Sequence, residues 1–325
     1  MEKNEDFFNN IGPNKFNNLN KDEIKNLKQD LDQDVNSHIK QQNFNSGDKL
    51  SNMNSQNYQL RPKLSNINNM QSSNLTQILG SAENENAVIP PPQEVIEKIK
   101  FIFNSMSKNN LVEKSNELKS ILNNENYVKW FSNFFIVNRV SVEHNNHVIY
   151  NELISLIDSK ELNNLLIKDT IIFIKKLLNS ENIAKETKEK NILKHLGSWL
   201  GIMNLAKNRP ILAKDLDLKD LIFDAYENGK LGPIITFVCK ILEHSVKTKV
   251  FHPKNPWIQA LVSVLAELYF RPNLKTNLKF EIDNIFKKLE LELATYPQTR
   301  VLDGIIICKD SVDFLKVFFV FNKSY

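Results

Sequence analysis

Between residues 92 and 292 the chain repeats one pattern. An apolar residue falls every three or four positions, along stretches broken by short polar connectors. Pro92–Met106 carries Val95, Ile96, Ile99, Ile102 and Phe103, and Asn110–Asn123 carries Leu111, Leu118, Ile121 and Leu122. Glu125–Asn138 is aromatic on one side, with Tyr127, Trp130, Phe131, Phe134 and Phe135. The same spacing predicts helices over Val142–Ser159, Lys160–Asn179, Lys185–Lys207, Asp215–Asn228, Gly232–Lys249, Asn255–Phe270 and Leu274–Glu292. Connectors rich in Asn, Asp, Ser, Gly and Pro supply the starts and stops. No segment before residue 300 alternates with the period of a strand. Short loops make consecutive helices antiparallel neighbours. Helix pairs recurring about every 40 residues match stacked HEAT-type repeats. The expectation is an all-α, HEAT-like solenoid of about ten antiparallel helices around a continuous core.

Both ends depart from this pattern. Twenty of the first 86 residues are Asn, and all three tryptophans lie beyond them. Such a stretch buries too little apolar surface to offset its ordering entropy, so residues 1–87 read as a disordered leader. Ile24, Leu27 and Leu31 mark one short helical stripe at Lys21–Asp34. Pro90-Pro91-Pro92 opens the helical domain, read as residues 88–295. Residues 296–325 form an atypical tail with β-prone runs at Gly304–Cys308 and Phe314–Val320. Charged residues interrupt the apolar C-terminus at Asp303, Lys309, Asp310, Asp313 and Lys316, which argues against a membrane span. Met1–Asp6 has no signal-peptide core. A net charge of +4 on 325 residues does not demand a nucleic-acid partner. Cys239 and Cys308 stand far apart, which points to a reducing compartment rather than a disulfide framework or zinc site.

Three clusters could carry chemistry. His144 and His147 share a helix face but lack a third ligand at motif spacing, so a solvated or partner-contacting helix start is the better reading. Asp215, Asp217, Asp220 and Asp224 could bind a divalent cation. The simpler account has Asp215 capping a helix while Asp217 and Asp220 complement its dipole. Gly197 and Gly201 interrupt a helix around Ser198 and Trp199 without a GxSxG elbow or GxGxxG fingerprint. Each costs roughly 1 kcal/mol relative to Ala. Close helix approach, or a partner lying on the bare backbone, offsets such a cost. No P-loop, nucleophile–base pair or dense basic stripe is present, and the chain reads as non-enzymatic and cofactor-free.

The sharpest local signal is Val250-Phe251-His252-Pro253-Lys254-Asn255-Pro256-Trp257. Two prolines fix the backbone there, and Asn255 can cap the helix that Pro256 opens. Trp257 then lies where that helix meets its neighbours, as a buried wedge or as the rim of a docking surface.

Six ordered blocks resemble one family. They are Phe101–Ser107, Asn138–Glu143, Leu193–Gly201, Leu205–Leu212, Phe251–Trp257 with Val264–Leu268, and Asn277–Ile282. Over roughly residues 90–293 they look like the central MIF4G-type domain of the Not scaffold of the CCR–NOT mRNA deadenylase complex. The resemblance implies a scaffold that docks a CAF-type poly(A) deadenylase, a DEAD-box helicase and other CCR–NOT subunits. It implies a role in mRNA decay and translational repression, with RNA contact only indirect and no membrane. It places the protein in the cytoplasm, in P-bodies and also in the nucleus. Arg139, Glu143 and His147 fall on the family's helicase-facing surface. His252, Pro253, Asn255, Pro256 and Trp257 are the deadenylase-docking candidates. A translation-initiation-type MIF4G domain that binds RNA and a helicase directly is the alternative. The family scaffold is a much larger chain with further helical domains on both sides, and the resemblance covers one of its modules.

Overall fold

A computed structural model describes residues 89–246, 248–305, 313 and 314. The Asn-rich leader, its Ile24–Leu31 stripe and most of the tail lie outside the described residues. Ten α-helices appear among those described. They are α1 (Gln93–Ser105), α2 (Leu111–Leu122), α3 (Glu125–Phe135), α4 (His147–Ile157), α5 (Lys160–Leu178), α6 (Thr187–Met203), α7 (Leu218–Asn228), α8 (Leu231–Leu242), α9 (Pro256–Tyr269) and α10 (Thr276–Lys288).

The caps explain where these helices begin. Asn124 Oδ1 accepts the Asn126 N–H at 3.1 Å, and Ser159 Oγ accepts the Leu162 N–H at 3.1 Å. Gly229, at φ 68°, ends α7 in the left-handed conformation and lets α8 start two residues later. Helix α4 begins five residues after the predicted Val142. The chain first makes a wide π-type turn at Ile136–Val140 and a 3₁₀ turn at His144–Asn146.

Helices two apart in sequence pack together. One layer runs α2–α4–α6–α8–α10, and the other contains the pairs α3–α5 and α7–α9. This is the stacked-hairpin arrangement that the spacing predicts. One hydrophobic core runs from Ile99 to Leu302. At its centre Trp199 is fully buried, with the Phe135 ring edge-on at 5.6 Å and Tyr150 in turn against Phe135 at 5.4 Å. A buried bond from Ser132 Oγ to Asp169 Oδ2, 2.6 Å long, ties α3 to α5.

Helix α6 lies close against α8 and the 3₁₀ turn that follows it at Glu243–Ser245. A Cβ at Gly197 would lie 2.7 Å from Phe237 Cδ2, and one at Gly201 would lie 2.7 Å from His244 Cδ2. Both glycines are buried, so their cost is met by packing and not by a partner on exposed backbone.

Residues 299–302 are anchored to α9. The carboxylate of Glu267, 5 % exposed, accepts from Thr299 Oγ1 at 2.5 Å and from the Val301 and Leu302 N–H groups at 3.1 Å each. Arg271 Nη2 completes the set at 2.6 Å. A buried carboxylate is tolerated only when its oxygens are bonded in this way. No described helix is long and apolar enough to cross a membrane.

Candidate docking surfaces

The first candidate surface is the corner between α3 and α4. The π-type turn places Arg139 facing inward, 9 % exposed, with its guanidinium 5.4 Å from the Phe103 ring. Its Nη1 donates to Glu143 Oε1 at 2.9 Å and its Nη2 to Asn104 Oδ1 at 2.8 Å. Glu143 also accepts from the Tyr150 hydroxyl and from Asn146 Nδ2. Arg139 and Glu143 thus pair four residues apart, with their charges turned into the corner and not out to solvent. Breaking such a partly buried, multiply bonded pair costs far more than breaking a surface one.

His147 is the larger departure. Its ring is 2 % exposed, edge-on to Trp199 at 5.5 Å, and its Nε2 donates to the Val140 carbonyl at 2.8 Å. Apolar packing around α6 draws it in, so it holds the corner together from inside. The groups this corner offers to a partner are His144, Asn145, Asn146 and Val148, the last 62 % exposed. Sequence reasoning missed Val148 because one apolar residue at a helix start reads as core. His144 stacks on His195 at 4.5 Å, and His195 Nδ1 donates to the Ser141 carbonyl at 2.7 Å.

The second surface is the connector into α9. Asn255 organises it: its Oδ1 accepts the Trp257 N–H at 2.9 Å, capping the helix, and its Nδ2 donates to the Val250 carbonyl at 2.9 Å. Pro256 takes the first helical position. His252 Nδ1 accepts the Lys254 N–H at 3.1 Å. Trp257 is half-buried with Phe251 edge-on at 6.0 Å, so it is neither a sealed wedge nor a free rim. Pro256 and Lys254 are exposed, while His252 and Pro253 are half-exposed.

A residue outside the candidate set positions this connector. Asn208, at φ 56° after α6, accepts the N–H groups of Lys249 and Val250 at 3.0 and 2.9 Å. It joins the connector after α6 to the one after α8, where Leu212 and Val250 are 45 % and 49 % exposed. The available signal was an Asn before Arg-Pro, since Asn tolerates the left-handed region. Replacing Asn255 by Ala removes the α9 cap and the Val250 tether together. The expected cost is about 1 kcal/mol, read as a lower urea midpoint with an unchanged m-value.

The acidic cluster does its work locally. Asp217, not Asp215, caps α7, accepting from Lys219 N at 2.9 Å and Asp220 N at 3.1 Å. Asp215, two residues earlier, lies in the turn that precedes the helix. Among the described residues no three His, Cys, Asp or Glu groups are placed to hold a metal.

Comparison with known proteins places this arrangement. The family model for the CCR4-NOT transcription complex subunit 1 CAF1-binding domain matches residues 87–309. The chain belongs to this family. The match runs past residue 295 and takes in the Thr299–Leu302 segment that Glu267 holds. The chain is 34 % identical over 253 residues to the CCR4-NOT transcription complex subunit let-711 of Caenorhabditis elegans, covering 75 % of the chain and 9 % of the worm protein. It is also similar to two proteins called general negative regulator of transcription subunit 1. The one from Schizosaccharomyces pombe is 33 % identical over 68 % of the chain and 10 % of its own length. The one from Saccharomyces cerevisiae is 34 % identical over 62 % of the chain and 9 % of its own length. The chain thus spans about a tenth of the length of these curated relatives.

Proposed function

We propose that this chain is a non-catalytic scaffold module that docks a CAF1-type poly(A) deadenylase within a CCR4-NOT assembly. The observation that carries this reading is the match of a CAF1-binding family across the whole helical solenoid, residues 87–309. The geometry supports it: the connector Phe251–Trp257 is braced by Asn255 and Asn208, and so presents a pre-ordered surface. Pre-ordering lowers the entropy lost on association. In this reading the nuclease brings the catalytic carboxylates, and the Asp215–Asp224 cluster stays with its helix. A DEAD-box helicase is the second proposed partner, meeting the α3–α4 corner through His144, Asn145, Asn146 and Val148. The site of action is the cytoplasm, where deadenylation leads into mRNA decay and translational repression.

The test is reconstitution of the full chain with a CAF1-type deadenylase. The expected result is a stable complex at micromolar concentration. Val250→Glu, which changes an exposed side chain and leaves the Asn208 bonds to backbone intact, weakens it about tenfold or more. Absence of a complex with the unmodified chain removes the reading. The same preparation, free of nuclease, is expected to leave poly(A) intact in the presence of Mg²⁺, and degradation would overturn the non-catalytic assignment.

A further inference from the structure

The N-terminus of α8 has no cap from its own loop: Lys230, the residue at the cap position, makes no side-chain capping bond. Asp313 supplies the cap from 82 residues away. Its Oδ2 accepts the Leu231 N–H at 2.8 Å, and its Oδ1 accepts the Gly232 N–H at 3.2 Å. The carboxylate is 5 % exposed and borders a cavity of about 140 Å³ whose wall includes Lys190, Lys230 and Lys275. Unpaired helix N–H groups and cationic walls together favour an anion.

Two further contacts read the neighbouring atoms. The Lys275 N–H donates to the Asp313 carbonyl at 3.0 Å, and Leu274 pairs with Phe314 as an antiparallel bridge. The Phe314 ring stands edge-on to Tyr226 at 5.9 Å. Backbone, carboxylate and ring are thus each gripped by a separate element: the start of α10, the start of α8 and the end of α7. That is the logic of strand-addition recognition, with main-chain bonds for affinity and pockets for the side chains.

The two sides of this contact have different standing. Tyr226, Leu231, Gly232, Leu274 and Lys275 all lie inside the family span 87–309, whereas Asp313 and Phe314 lie beyond it. The receiving notch belongs to the domain, while its occupant belongs to the continuation of this particular chain. We propose that the notch formed by α7, α8 and α10 is a receptor for an extended protein segment carrying an acidic residue followed directly by an aromatic one. Here the chain's own Asp313-Phe314 fills it. A partner segment of that chemistry competes with the internal one, which holds the advantage of being tethered.

A fluorescently labelled peptide with the sequence of residues 309–317 provides the test, read by anisotropy against the full chain. The expected result is binding to the Asp313→Ala/Phe314→Ala double variant about tenfold or more tighter than to the unmodified chain. Peptides carrying Asp313→Asn or Phe314→Ala lose that binding, as does Tyr226→Ala added to the double variant. Equal affinity for the unmodified chain and the double variant would overturn the proposal, because the peptide would then sit elsewhere. Indifference to the two peptide substitutions would overturn it equally. If the double variant melts early, Asp313→Asn/Phe314→Ala replaces it: the Asn amide oxygen can still accept one α8 N–H, but the neutral, ringless segment yields the notch to the peptide. A folded chain of this kind that gains no peptide affinity is likewise fatal.

Discussion

Replacing Gly197 by Val destabilises the domain by about 3 kcal/mol. A Cβ at this position would lie 2.7 Å from Phe237 Cδ2 and 2.9 Å from the Phe237 carbonyl oxygen. The ring could rotate away from a new methyl, but the carbonyl belongs to the backbone of α8 and moves only with the helix. Pushing α8 outward strains the most extensive contact in the solenoid and opens the apolar faces on both sides of it. A better helix propensity returns only a fraction of a kcal/mol. The control is Gly232→Ala: there a Cβ meets nothing nearer than Asp313 Oδ1 at 3.8 Å, and the N–H that Asp313 uses is kept. Urea unfolding is expected to show a large fall in midpoint for Gly197→Val, at an unchanged m-value, and almost none for Gly232→Ala. A mild Gly197→Val would mean that α6 and α8 can slide apart freely.

How much of this was legible in advance depends on the range of the interaction. All ten helices were readable because burial imposes a local period of three to four residues, and that period survives without knowledge of the partners. The Asn255 cap was readable for the same reason, since donor and acceptor lie two residues apart. The α7 cap was placed two residues early because both Asp215 and Asp217 precede an apolar run, and only the backbone geometry selects between them. The inward turn of Arg139 was hidden by the π-type turn, which shifts the helical phase just where the corner begins. The role of Glu267 left no local trace, because the groups that bond its carboxylate sit more than 30 residues downstream. Gly197 fell in between: the sequence announced that something lay close, but not that it was Phe237.

Acid is expected to unfold the domain through His147. Its Nε2–H is committed to the Val140 carbonyl, so the neutral ring has a bare Nδ1, and that atom is buried with no hydrogen-bond partner among the described residues. Protonation would place a second N–H there with no acceptor and a positive charge without solvent. Burial, with smaller help from the nearby His195, His144 and His244, lowers the His147 pKa from 6.5 to about 4. The unfolded chain therefore takes up a proton near pH 6.5 that the folded chain refuses until about pH 4. Stability is full above the first value and falls as pH drops toward the second, by on the order of 3 kcal/mol from this residue. Burial lowers His195 and His244 too, which acts in the same direction. Asp169, raised by its own burial, takes up its proton early and acts in the opposite direction at the acid end of the window. The variant that separates these contributions is His147→Gln, whose amide N–H can still reach the Val140 carbonyl but cannot titrate. Its stability at pH 7 is expected to be lower than that of the unmodified chain, and its decline between pH 6.5 and 4 distinctly shallower. An equally steep decline in both proteins would assign the acid sensitivity to His195 and His244 and leave His147 as packing alone.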